Sequence, residues 1–305
     1  MREVVINLLS NPKSVQVEAL DDVIDSAYKC MSASAGTAQS LPCRRLYTHA
    51  SIIKALGCAL QPEDTQHLLS AIASLDKAIV LAGAPGEGRL DLVLGLIAMI
   101  QSQFVPVTSF TSSRESMLKL PARPASISVS SGTNSVLRLS DPPPLSLFRD
   151  KYSRRPFVLP GFIKDWPALE EHPWVSLSYL RSVAGPGRVV PVEVGNDYRT
   201  DDWTQTMMEW DDFLDALQAA NVSDKRSPLY LAQHNLMAQF PRLRDDVIVP
   251  DYVYACPPAP PDYSDYKPPA NDDELVMNVW LGPGGTMSPA HTVCFAIGPP
   301  RIRRH

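Results

Sequence analysis

His291 closes the stretch Asn278-Val-Trp-Leu-Gly-Pro-Gly-Gly-Thr-Met-Ser-Pro-Ala-His291, whose residue types could present one imidazole to a metal. Residues 274–281 are mostly apolar or β-prone and read as a strand, residues 282–285 as a Gly/Pro turn, and a short extended piece then carries the histidine. An imidazole at a strand end, beside small residues, can offer a ring nitrogen to a cation without crowding it. On residue type alone, a single histidine is more often an ordinary core or surface residue. Cys294 and His305 follow, but their spacing matches no known ligand pattern. A second candidate is Ala82-Gly-Ala-Pro-Gly-Glu-Gly-Arg89, a glycine-rich loop of the kind that can cradle phosphate. It lacks the Gly-Lys-Ser/Thr ending and follows a helical pattern instead of a strand, so it reads as a turn between helices. No Ser/His/Asp or Cys/His nucleophile arrangement stands out.

The chain that must position these residues has 305 of them, enough for one or two domains with a sizeable core. Apolar residues make up 45% and charged residues 20%, the balance of a soluble globular protein. A net charge of −5 gives no basic field to announce nucleic acid. The most apolar run, residues 90–100, contains Asp91 and falls short of the roughly 20 residues of a membrane span. Five cysteines (30, 43, 58, 256 and 294) form no Cys-x-x-Cys pair, and no signal-peptide run opens the chain. The expectation is an intracellular protein, nuclear or cytoplasmic, with free and mostly buried thiols.

Residues 1–104 read as a helical bundle. Leu46, Ile52, Ile53, Leu56 and Leu60 recur at three- and four-residue steps, as do Leu68, Leu69, Ile72, Leu75, Ile79 and Val80. Residues 90–104 make a further, nearly all-round apolar helix. Residues 105–142 are Ser/Thr/Pro-rich and are expected as a disordered linker. Beyond it come a short helix at 145–152, strands at 155–163, 188–195 and 229–233, and helices at 176–183 and 208–220. Trp166, Trp174, Trp203 and Trp210 read as core and surface anchors.

The words Arg155-Pro-Phe-Val-Leu-Pro-Gly-Phe162, Asp165-Trp-Pro-Ala-Leu169, Val190-Pro-Val-Glu-Val-Gly195 with Tyr198, Asp201-Asp-Trp-Thr-Gln-Thr206, Tyr230-Leu-Ala-Gln-His234 and Val249-Pro-Asp-Tyr252 run in order toward the His291 segment. In that order they resemble the first half of a Jumonji C (JmjC) domain of the Fe(II)/2-oxoglutarate oxygenases. The subgroup most like them is that of lysine demethylase 8, also described as a protein arginyl hydroxylase. The resemblance covers residues 137–291. It implies an α+β protein: an all-α N-terminal region, then the N-terminal half of a cupin-type double-stranded β-helix, or jelly roll, left incomplete. The expected divisions are 1–104, 105–142, 143–291 as a partial JmjC domain, and 292–305 as a tail outside the family pattern.

The resemblance also assigns residues. His291 would be the first iron ligand of a 2-His-1-carboxylate triad. Tyr230 and Ser288 would meet 2-oxoglutarate, while Glu193, Tyr198, Gln233 and Trp280 would surround the substrate side chain. The implied partner is a protein substrate, a histone or another arginine- or lysine-bearing protein. The carboxylate normally stands two residues after the first histidine, where this chain has Val293. The second histidine and the oxoglutarate-pairing lysine belong to later strands that have no counterpart here. The expectation is therefore a truncated form with no complete catalytic set, not expected to bind Fe(II) or 2-oxoglutarate; the alternative is a non-catalytic interaction form acting through the helical region.

Overall fold

The computed structural model describes residues 17–60, 64–103, 117–118, 136–195, 203–220, 229–255, 265, 277–284 and 286. Four helices come first: α1 (Val17–Ala33), α2 (Ser40–Leu60), α3 (Thr65–Val80) and α4 (Arg89–Gln103). Most of the apolar steps read from the sequence become two buried clusters, while Leu46 and Leu60 are exposed. One joins Ile52, Cys58, Leu68, Ile72, Leu75, Val93, Ile97 and Ile100 across α2, α3 and α4. The other joins Ile24, Met31 and Tyr47 to Val80 and Leu81. Asp64 caps α3 by accepting the His67 N–H at 2.7 Å, which satisfies one of the free donors at a helix start. The glycine-rich loop is a turn between α3 and α4, as its lack of a strand-loop-helix setting implies.

Cys30 and Cys43 are bonded to each other, joining the end of α1 to the start of α2. This corrects the expectation of free thiols for that pair. They stand 13 residues apart without a motif, and only the folding back of α1 on α2 brings them together. Cys58 is free and buried, as expected.

A four-stranded antiparallel sheet follows, in the order β4-β3-β5-β6, built from β3 (Val189–Val194), β4 (Thr204–Glu209), β5 (Leu229–His234) and β6 (Val279–Leu281). Strand β4 has no counterpart in the sequence reading, which began a helix at residue 208. The alternation of Thr204, Thr206 and Met208 suits a strand, and Trp210 then opens helix α6 (Trp210–Ala220). Two pieces of the stretch expected as linker belong to the fold. Leu118 packs against the core, and β1 (Leu137–Arg138) pairs in parallel with β2 (Phe157–Val158). The strand expected over 155–163 shrinks to those two residues of β2. Pro156 and Pro160 carry no N–H for a ladder, and Gly161 turns the chain at φ 70°.

Helices α5 (Leu177–Ala184), α6 and the short α7 (Leu236–Gln239) cover one face of the sheet. Side chains alternate across a strand, so Val190 and Val192 of β3 and Leu231 of β5 meet Leu177, Trp210, Phe213, Leu214 and Phe240 in one core. Leu229, Met277, Val279 and Leu281 pack against it from the same side. At its edge, the buried Asp246 carboxylate accepts from His172 Nδ1 (2.8 Å), Trp174 Nε1 (2.9 Å) and the Tyr179 hydroxyl (2.6 Å). Burial first, and then this carboxylate, push the Tyr179 hydroxyl well above its usual range.

The bundle is fastened to the sheet by one buried network. Arg188, just before β3, gives Nε and Nη2 to the two Asp76 oxygens of α3, both at 2.8 Å. The Val189 N–H donates to Asp76 at 2.9 Å, and Arg188 also donates to the Gln239 carbonyl at 2.8 Å. The Gln239 side chain donates Nε2 to the Val189 carbonyl at 2.7 Å, which leaves its Oε1 to accept from His234 Nε2 at 2.7 Å. Asp76 is wholly buried and the Arg188 side chain is 5% exposed, so each charge depends on the other. Gln101 of α4 adds bonds to the Ala184 and Pro186 carbonyls at 3.1 and 2.8 Å.

Asp76→Leu should cost about 3–5 kcal/mol, because it strands a buried guanidinium, whereas Asp76→Leu with Arg188→Met should recover most of that loss in urea unfolding. Burial holds His234 below its usual 6.5, against the opposing effects of Gln239 and Asp76. A lowered folded-state value means the unfolded chain takes up the proton first. Stability is therefore whole above about pH 6.5 and falls as the pH drops through and below it; a urea midpoint measured from pH 8 to pH 5 should show this, and His234→Gln should flatten it.

Candidate functional site

The face of the sheet opposite the core carries the residues singled out on β3, β5 and β6. Glu193 lies between Val192, which is buried, and Val194, and it pairs with Tyr230 on one side and Gln205 on the other. Cross-strand partners point the same way, so these three side chains share the face that α5–α7 leave uncovered. Trp203, at the entry to β4, donates its indole N–H to Glu193 Oε2 at 3.2 Å. The sequence reading placed Trp203 among the packing aromatics. Its partnership with Glu193 depends on the β3–β4 register and has no signal in residue spacing. Trp166 and Trp174 pack against the core, and Trp210 is buried in it, as expected of anchors.

Tyr230 is half-buried, and its ring lies against the turn after β6. A methyl group added at Gly282 would come within 2.7 Å of Tyr230 Cδ2 and 3.0 Å of Thr286 Oγ1. Glycine is therefore required there for the close approach, and the Gly/Pro turn read from sequence has this packing role. Trp280 alternates with the core-facing Val279 and Leu281, which turns it to the Glu193 side, where it is 52% exposed. Gln233 sits in a register shift between Leu231 and His234 at φ 51°, with an exposed side chain. A bulge of this type leaves a residue unpaired and re-aims the side chains around it.

Glu193, Tyr230, Gln233 and Trp280 are thus on three adjacent strands. Tyr198, Ser288 and His291 lie outside the described residues. Among the described residues, no group of three His, Cys, Asp or Glu side chains could hold a metal ion. What the described face offers is a carboxylate, a phenol and an exposed indole on adjacent strands, groups suited to a cationic side chain.

Residues 146–293 match the profile of the Cupin-like domain family, which spans the sheet, helices α5–α7 and the His291 segment. The chain is 29% identical over 279 residues to Lysine-specific demethylase 8 of Danio rerio, covering 91% of this chain and 64% of that protein. It is 38% identical over 152 residues to Lysine-specific demethylase 8 of Xenopus tropicalis, covering 49% of this chain and 30% of that protein. It is 37% identical over 171 residues to Jumonji C domain-containing protein 5 of Drosophila melanogaster, covering 53% of this chain and 39% of that protein. The chain carries a JmjC-type, cupin-like domain. Its length spans less than two thirds of each of these relatives. In this domain, helices α5–α7 pack on one sheet face, and Glu193, Gln205 and Tyr230 lie on the other. No helix among the described residues is long and apolar enough to cross a membrane.

Gly282→Ala should displace the Tyr230 ring and cost about 1–3 kcal/mol, as overpacking does; shifted Tyr230 ring signals in NMR spectra with a lowered urea midpoint would register both effects.

Proposed function

We propose that this chain is a JmjC-type member of the Fe(II)/2-oxoglutarate oxygenases whose sheet face receives an arginine or lysine side chain of a protein substrate. The observation that carries the reading is the Glu193–Tyr230 cross-strand pair, with Trp203 on the Glu193 carboxylate. Trp203 engages one carboxylate oxygen, and the other, which has no hydrogen-bond partner among the described residues, suits a guanidinium or ammonium group. Tyr230, with Ser288, is assigned to 2-oxoglutarate, and Gln233, Trp280 and Tyr198 to the walls around the substrate side chain. The names of the relatives favour lysine demethylation, and arginyl hydroxylation is the competing chemistry. The four strands described are taken as part of a jelly roll.

The iron does not fit the residues that face it in this assignment. When bound, iron with 2-oxoglutarate supplies the oxidising chemistry of the family. His291 offers one imidazole donor, and the Val293 hydrocarbon has no lone pair where a carboxylate is needed. Loss of even supporting groups around a metal weakens binding about 10–100-fold, so loss of a direct ligand should remove useful affinity. The proposal is therefore a substrate-binding fold without turnover in this sequence. Its divisions are a helical unit (1–104), a connector (105–142) docked at Leu118 and β1, the JmjC region (143–291) and a tail (292–305). A nuclear or cytoplasmic location belongs to the same proposal.

A second reading is a protein-interaction role for the helical unit, favoured by its larger buried cluster, which helical residues fill alone.

Fluorescence anisotropy with arginine- and lysine-bearing peptides, alongside a succinate-release assay with Fe(II) and 2-oxoglutarate, tests the main reading. Peptide binding should weaken about tenfold in Glu193→Gln, the loss of one charge-assisted bond, with no succinate formed by the parent chain. Succinate release would overturn the claim of no turnover. Binding indifferent to Glu193→Gln would overturn the assignment of the face.

A further inference from the structure

The Cys30–Cys43 bond lies beside the turn that joins α1 to α2, and its two sulfurs sit in unlike surroundings. Cys30 is in the last turn of α1 and is exposed, whereas Cys43 is in the first turn of α2 and is half-buried against the second helical cluster. The two helix ends differ in charge as well as in access. A helix start carries the positive end of the backbone dipole, and a helix end the negative one. No acidic residue in the first turn of α2 offsets that field, and Arg44 and Arg45 follow Cys43 directly. Cys30 stands at the carbonyl end of α1, with Lys29 as its adjacent charge.

The two residues meet without help from the bond. Met31, next to Cys30, and Tyr47, one helical turn past Cys43, are both buried in the cluster that packs α1 on α2. The Tyr28 ring lies 6.5 Å from that of Tyr47. The connection between the helices is fixed by its own hydrogen bonds. The Cys30 carbonyl accepts from the Ser34 N–H at 3.0 Å and from the Ser34 hydroxyl at 2.6 Å. The Ser34 carbonyl accepts from the Thr37 N–H at 3.0 Å and from its hydroxyl at 2.8 Å, and the Thr37 carbonyl from the Ser40 N–H at 3.1 Å. Sulfurs held as neighbours by a packed core and a bonded turn can separate and rejoin without refolding. That distinguishes them from a bond on which a domain with little core depends.

We propose that Cys30 and Cys43 form an exchangeable thiol–disulfide pair, in which Cys30 takes up a low-molecular-weight thiol and Cys43 is the sulfur that leaves. Exchange requires access for the attacking thiolate and stability for the departing one. The exposed Cys30 gives the first, and the start of α2 gives the second. In the opening step the small thiolate bonds to Cys30 Sγ, the Cys30–Cys43 bond breaks, and its electron pair goes to Cys43 Sγ. A second thiolate then attacks the small-molecule sulfur of the adduct, which forms the small-molecule disulfide and frees Cys30. Two electrons pass from the small thiols to the protein disulfide, and the two protons those thiols lose end on Cys30 and Cys43. The reverse sequence, driven by the small-molecule disulfide, closes the pair. The site is on the helical unit and does not depend on the reading of the Glu193 face.

The test is incubation of the full chain in glutathione buffers of graded ratio, followed by acid quenching, alkylation and peptide mapping. Oxidised glutathione should link Cys30 to Cys43, and reduced glutathione should open the pair with the far-UV circular dichroism unchanged. Chains with Cys43→Ser or Cys30→Ser cannot close the pair, so each holds its glutathione adduct at equilibrium. In one fixed buffer, the ratio of adduct to free thiol on Cys30 in Cys43→Ser should exceed that on Cys43 in Cys30→Ser by about tenfold. Thiols of the parent chain that stay unlinked in oxidised glutathione would overturn the pair, as would helical signal lost when it opens. An adduct ratio that is equal at the two positions, or that favours Cys43, would overturn the assigned roles.

Discussion

The ion pair between Asp76 and Arg188 is the constraint on which the arrangement depends. Each group is buried, and burial of either without the other would be prohibitive. Asp76 also takes the first N–H of β3, so the same carboxylate fixes the helical unit and the start of the strand that carries Glu193. Arg188 stacks over the Phe240 ring at 4.6 Å and reaches the Gln239 carbonyl, which ties the core helices to the same point. Gly187 completes the joint, since a side chain there would come within 2.9 Å of Leu69 on α3. The helical unit is accordingly a fixed wall of the JmjC region as well as a unit with its own core. Met207 of β4 packs against that second helical cluster from the sheet side, which extends the wall toward the uncovered face.

From this joint, strand alternation does the sorting. Apolar residues of β3, β5 and β6 turn toward α5–α7, and the polar and aromatic ones turn away from them. The separation needs no specific chemistry in the core, only matched register. The chemistry lies in details that break regularity: a bulge at Gln233, a side-chain-free position at Gly282 and an indole that crosses from the entry of β4 to Glu193.

Much of this was legible in the sequence. The three- and four-residue steps of Ile52, Leu56, Leu68, Ile72 and Leu75 locate α2 and α3, because helix packing repeats locally. Strand β3 is equally legible from its alternation. Strand β4 is not, since its apolar Met207 and Met208 run into the amphipathic pattern of α6, and only pairing with β3 ends the ambiguity. The Asp76–Arg188 pair joins positions more than a hundred residues apart, and no local pattern encodes that distance. The site residues were assigned by family resemblance. Trp203 was passed over because its partner lies across a turn, and the Cys30–Cys43 bond because two thiols without a motif carry no spacing signal.

Glu193 is on β3, an inner strand with β4 on one side and β5 on the other. Both its lateral approaches are filled by backbone and by the side chains of Gln205 and Tyr230. Under the proposed reading, a ligand of Glu193 would therefore descend on the sheet along its normal, end first. A long, unbranched side chain with charge at its tip can do so, while a branched or bulky one would meet the flanking walls before its charge came within range.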